Sequence, residues 1–159
     1  MMRMYRILRT LVVGSTCLLS ALGYAGEVPK PDGTVSVKLE SSVPSGEGFG
    51  FTWGKGILRM TNGITRVFTL EGAGVRGNRG GIVDMEARGQ VFHLKEPLDF
   101  AGTYQKSPDA ASAGTDAKAL VMKNEKGVVV VLALQIDTET WPDLALDASD
   151  QPIKVKLES

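Results

Sequence analysis

The chain has 159 residues, 18 Lys plus Arg against 18 Asp plus Glu, one His and one Cys. Basic residues scattered singly on a neutral chain do not make a nucleic-acid footprint, and one His with one Cys cannot build a His- or Cys-rich metal site. No metal, cofactor or catalytic residue is expected from this composition.

Arg3, Arg6 and Arg9 precede the apolar stretch from Leu11 to Leu22, and no acidic residue comes before Glu27. This is the order of a secretory signal peptide, and the small residues Gly23 and Ala25 place cleavage after Ala25. The stretch is too short, and too interrupted by Gly14, Ser15 and Thr16, to remain as a membrane anchor. Cys17 lies in the middle of the run, away from the position a lipoprotein needs. Cleavage removes three Arg, leaving fifteen Lys plus Arg against eighteen Asp plus Glu, a net charge of −3. It also removes the only Cys, so the expected mature chain has neither thiol nor disulfide. A periplasmic location follows as the expectation, with no membrane-spanning segment after the signal.

Residues 26–33 read as a polar leader, and 34–159 as one β domain. From Thr34 to Ser41, Val35, Val37 and Leu39 alternate with Ser36, Lys38 and Glu40, the period of a half-buried strand. From Glu47 to Gly56, Phe49, Phe51 and Trp53 share one face, while Gly48, Gly50, Thr52 and Gly54 share the other. Glycine at every second position of a strand implies close backbone approach or a barrel corner. The aromatic face is expected to fill the core or to line a ligand pocket inside the barrel.

Ile57–Thr61 and Ile64–Leu70 flank Asn62-Gly63, the dipeptide of a type I′ hairpin. Gly72 to Gly81 (GAGVRGNRGG) reads first as a mobile glycine-rich hairpin loop, and alternatively as one in which Arg76 and Arg79 face an anionic ligand or lipid headgroup. It matches neither a phosphate-binding loop nor a dinucleotide fingerprint. A long strand follows from Ile82 to Leu94, carrying Asp84, Glu86 and Arg88 on a solvated face and the lone His93 near its end. Pro97 to Gly102 forms one helical turn. Ser107–Ala117 is a low-complexity loop. Ala119–Lys123 and Val128–Ile136 make a second hairpin about Asn124-Gly127, its apolar second arm buried on both faces. Leu144–Asp147 and Ile153–Leu157 are the last strands.

Eight to ten strands and no helix of ordinary length predict an all-β antiparallel barrel or sandwich. Gly46, Gly48 and Gly50, with the segment from Val91-Phe92-His93-Leu94 to Phe100-Ala101-Gly102, resemble the all-β part of SYLF domains and of exported EipA-like envelope proteins. The segment Gly50 to Gly56 (GFTWGKG) is also similar to small exported bacterial proteins of unknown function. The resemblance implies a compact barrel, lipid association on the SYLF side and an envelope role on the EipA-like side. The helical segment that precedes the β region of SYLF domains is not seen, and no lipid-binding residue carries over.

The functional expectation is an exported, non-enzymatic barrel with an envelope-associated binding or structural role, in contact with lipid or another envelope component. Its ligand-binding residues would be Phe49, Phe51, Trp53, Arg76 and Arg79. The alternatives are a carrier holding a small apolar ligand inside the barrel and, lower in order, a hydrolase.

Overall fold

The computed structural model describes residues 29–107, 119–136, 139–147 and 151–159. The expected signal peptide, residues 26–28 of the leader and residues 108–117 of the low-complexity loop lie outside them. The strands are β1 (Gly33–Val43), β2 (Gly50–Met60), β3 (Thr65–Arg76), β4 (Gly81–Phe92), β5 (Gly102–Lys106), β6 (Leu120–Asn124), β7 (Val129–Gln135), β8 (Ala145–Asp147) and β9 (Ile153–Leu157).

Every pairing is antiparallel. The ladder runs β2-β1-β4-β7-β6-β5-β9-β3, and β3 pairs back onto β2, closing an 8-stranded barrel; β8 adds to the far end of β3. A closed sheet leaves few unpaired strand edges.

Alternation sets the two faces. In β1, Val35, Val37 and Leu39 are buried while Ser36, Lys38 and Glu40 are exposed. In β4, Val83, Met85 and Ala87 are buried while Asp84, Glu86 and Arg88 lie outside. The inner residues of β7, Val130 and Leu132, join the core, and Val131 on its outer face is 7% exposed, so the two-sided burial expected of this run holds there.

One 3-10 turn (Pro97–Phe100), the expected helical turn, lays Phe100 into the core. The Phe100 ring meets Phe68 edge-on at 5.0 Å, and Tyr104 tilts against it at 6.1 Å. The Tyr104 hydroxyl donates to the Phe100 carbonyl at 2.7 Å, giving the buried phenol its partner. The buried Asn124 side chain donates to the Asp99 carbonyl at 2.8 Å, and the Lys126 ammonium donates to the Leu98 and Ala101 carbonyls at 3.0 and 3.2 Å. The β6–β7 hairpin thus clamps the turn in place.

Both predicted hairpins form, the first with a turn other than the expected type I′. Around Asn62 the backbone pairs Met60 with Ile64, and only Gly63 takes a positive φ, 91°. A three-residue loop ending in glycine replaces the type I′ pair, because Asn62 uses its side chain to accept from the Ile64 N–H at 3.1 Å. The β6–β7 hairpin repeats this geometry, with Gly127 at φ 87° and the Asn124 side chain accepting from the Lys126 and Val128 N–H groups.

Burial pushes the Tyr104 phenol well above its ordinary value of 10.0, and the nearby Glu125 carboxylate adds to the shift. A raised pKa stabilises the fold below the unfolded value and loses that contribution as pH climbs past about 10. Tyr104 is the only Tyr after residue 25. In protein lacking residues 1–25, ultraviolet titration is therefore expected to show phenolate only together with loss of the β circular-dichroism signal; ionisation in a still-folded chain would contradict the burial.

Candidate functional site

The aromatic face of β2 is where the structure departs furthest from expectation. Phe49 is 40% and Phe51 45% exposed, while Thr52, between Phe51 and Trp53, is 1% exposed. The aromatics therefore stand outside the barrel, not in its core or in an internal pocket. The inner face of β2 is bare at Gly54 and Gly56, where its neighbours occupy the space, and carries Leu58 and Met60 farther along. A Cβ on Gly54 would strike the Leu39 side chain, and one on Gly56 would strike Val37 and the Phe68 ring. Thr52 spends its hydroxyl on the buried Ser41 hydroxyl, 2.7 Å away.

Outside, the register sorts the side chains into rows. Ile82, Ser42 and Phe51 are aligned across β4, β1 and β2 at the barrel rim. The next row, two residues along, carries Asp84, Glu40, Trp53, Glu71 and Lys154. Ile82 is 70% exposed, so the rim row is largely apolar and open to solvent. Phe51 and Trp53 stack with centroids 6.1 Å apart and planes 25° apart. The Trp53 indole N–H donates to the Glu40 carboxylate at 2.7 Å, which fixes the ring edge.

The glycine-rich segment is shorter as a loop than its composition predicts. Residues 72–76 belong to β3, where Gly72 at φ 116° sits at a bulge opposite Phe51 and Thr52. Only residues 77–80 turn. Arg76 joins the aromatics, its guanidinium 4.6 Å from the centre of the Phe49 ring. Arg79 points elsewhere and donates to the Thr140 carbonyl at 2.7 Å. The structure thus gathers Phe49, Phe51, Trp53 and Arg76 on one rim and separates Arg79, which ties the loop to the segment before β8.

Sequence reasoning missed Ile82 and Glu40 as members of this surface. The alternation in β1 and β4 placed both outside, but only the β4–β1–β2 register sets Glu40 beside Trp53 and puts Ile82 in the row of Phe51, with Ser42 between them. His93 follows β4 at φ 60°, exposed. It makes no hydrogen bond to a serine or a carboxylate among the described residues. Asp84 and Glu86 lie on the outer face, as expected. Among the described residues no three His, Cys, Asp or Glu side chains converge as a metal site, and no helix is long and apolar enough to cross a membrane.

Phe51→Ser is expected to change unfolding free energy by no more than about 0.5 kcal/mol, as at an exposed position. Phe68→Ala is expected to cost about 3–5 kcal/mol through the cavity it opens. Urea denaturation of both variants checks the orientation of the aromatics; comparable losses would mean that Phe51 is part of the core.

No protein-family model matches the chain, and no curated protein sequence matches it. Among solved structures it is similar to a β-barrel-like uncharacterised protein from Brucella abortus, at 17% identity and a TM-score of 0.47, over 79% of this chain and 72% of that chain.

Proposed function

We propose that the chain is an exported, non-enzymatic barrel that binds at the cell envelope and contacts lipid through the rim built by Phe49, Phe51, Ile82 and Arg76. The observation that carries the reading is an apolar rim left in solvent on a barrel whose interior is filled with side chains. Leu39, Leu58, Phe68, Phe100 and Tyr104 are all at most 2% exposed inside it.

Isolated apolar residues on a surface are ordinary, but a contiguous group marks an interaction surface. At a membrane interface the phenyl rings and Ile82 enter the acyl boundary while a guanidinium meets phosphate, and each buried large side chain contributes about 1.5–3 kcal/mol. The basic opening and short apolar stretch of the sequence support export to a compartment bounded by membranes. The carrier alternative receives less support, because the aromatics assigned to its ligand stand outside. The hydrolase alternative receives less support too, because among the described residues His93 has no hydrogen-bonded nucleophile or carboxylate beside it.

Co-sedimentation with vesicles of phosphatidylcholine and phosphatidylglycerol tests the proposal. The protein is expected to bind, more weakly at high salt, and Phe49→Ser with Phe51→Ser to weaken binding about tenfold or more. Absence of binding to these vesicles, or a double variant that folds and binds like the parent, would overturn it.

A further inference from the structure

Below the rim, the outer face of the sheet forms an open groove of about 830 Å³ with Trp53 near its apolar edge. Its lining reaches from Gln135 on β7 to Lys154 and Lys156 on β9. Three features define its chemistry.

First, Trp53 is a fixed, half-buried ring, held by Phe51 on its stack and by Glu40 on its N–H. Second, the lining holds four lysines and four carboxylates, so the groove is charge-balanced and selects neither an anion nor a cation. Third, some of these charges are already paired, Lys55 with Glu158 at 2.8 Å and Lys156 with Glu71 at 3.6 Å, whereas the side chains of Lys38, Asp84, Glu86 and Gln135 hold no hydrogen bond or ion pair among the described residues. An aromatic plate bordered by uncommitted donors and acceptors of both signs suits a neutral polyhydroxylated ring. A pyranose lays its C–H face on the indole and offers hydroxyl hydrogens to Asp84 and Glu86 and hydroxyl oxygens to Lys38 and Gln135.

The groove is continuous with the rim, since Phe51 of the apolar row stacks directly on Trp53 of the polar row. Two residues along a strand advance about 7 Å. Within that distance the surface passes from Ile82 and Phe51, suited to an acyl chain, to Asp84 and Trp53, suited to a sugar. We infer that the groove receives the neutral sugar headgroup of a membrane glycolipid whose acyl end lies against the rim. This deepens the lipid-contact reading and rests on it.

The experiment uses the Trp141→Phe background, in which Trp53 is the only Trp. Binding is measured to phosphatidylcholine–phosphatidylglycerol vesicles with and without diglucosyl diacylglycerol, together with Trp53 fluorescence and a competition by free methyl glucoside. The glycolipid is expected to raise affinity about tenfold, the equivalent of one or two new hydrogen bonds, and to shift Trp53 emission. Asp84→Asn with Glu86→Gln, both on the exposed face, is expected to remove that increment, taken relative to the variant's own binding to plain vesicles, which the loss of two negative charges strengthens. Plain-vesicle binding with no glycolipid increment, or an increment that survives D84N/E86Q, overturns the headgroup site alone. Absence of plain-vesicle binding overturns the rim reading and this inference with it. Methyl glucoside binding as tightly as the glycolipid vesicles would make the groove a free-glycan site and overturn the link to the membrane.

Discussion

The space inside an eight-stranded barrel is just sufficient for side chains to fill it, and in this chain neighbouring strands take that space along the Gly54–Gly56 stretch of β2, which contributes Leu58 and Met60 only farther along. Phe68, Leu39 and Val37 reach across the positions where Gly54 and Gly56 would otherwise carry side chains. Because side chains alternate strictly along a strand, a bare inner face forces the residues between the glycines outward. Phe51 and Trp53 are therefore on the surface because no volume remains for them inside. A one-residue slip of β2 would drive two rings into Leu39 and Phe68 and leave Thr52 unpaired from Ser41. The register, the buried hydroxyl pair and the exposed rim are consequences of the same crowding.

Most of the strand framework was legible from period-two alternation, because β1, β4 and β9 each place apolar and polar residues on opposite faces without ambiguity. β2 was harder. Glycine carries no hydropathy signal strong enough to mark a face as inner, so the aromatic face was assigned to the interior by default. The deciding partners, Phe68 and Leu39, lie on other strands, and no local pattern contains them. The same glycines also divided β2 in the reading of the sequence, although Gly54 and Gly56 lie inside one continuous strand of eleven residues. β5 carries no comparable signal. Its five residues hold one buried side chain, Tyr104, and too little alternation to register as a strand.

Turn chemistry was legible in place but not in kind. Asn62-Gly63 and the segment Asn124 to Gly127 located the two hairpins, yet asparagine side chains accept backbone N–H groups at both, and each turn is a three-residue loop with a single left-handed glycine where type I′ was expected of the first. The glycine-rich segment shows the converse. Its composition suggests ten residues of loop, but the pairing of β3 with β2 and β8 draws the first five into the sheet. Arg76 thereby becomes a strand-end residue beside Phe49, whereas Arg79 remains on the turn and bonds Thr140. Two arginines three residues apart in sequence thus receive different environments.

The candidate site depends on this division between inside and outside. Side chains in a filled core set stability, and those on the outer rows of a closed sheet carry little of it. Phe49, Phe51, Ile82, Asp84 and Glu86 can therefore change with small effect on folding, which leaves their chemistry available for recognition. Trp53 stands at the junction, half-buried and anchored by Glu40 through a bond between adjacent strands. Its orientation is inherited from the β1–β2 register, which the inner crowding fixes. A surface ring held by the same constraint that packs the core is pre-organised, and a ligand resting on it gives up less to ordering the protein. The glycines that make the inner face of β2 bare are in this sense part of the binding surface, though none of them touches it.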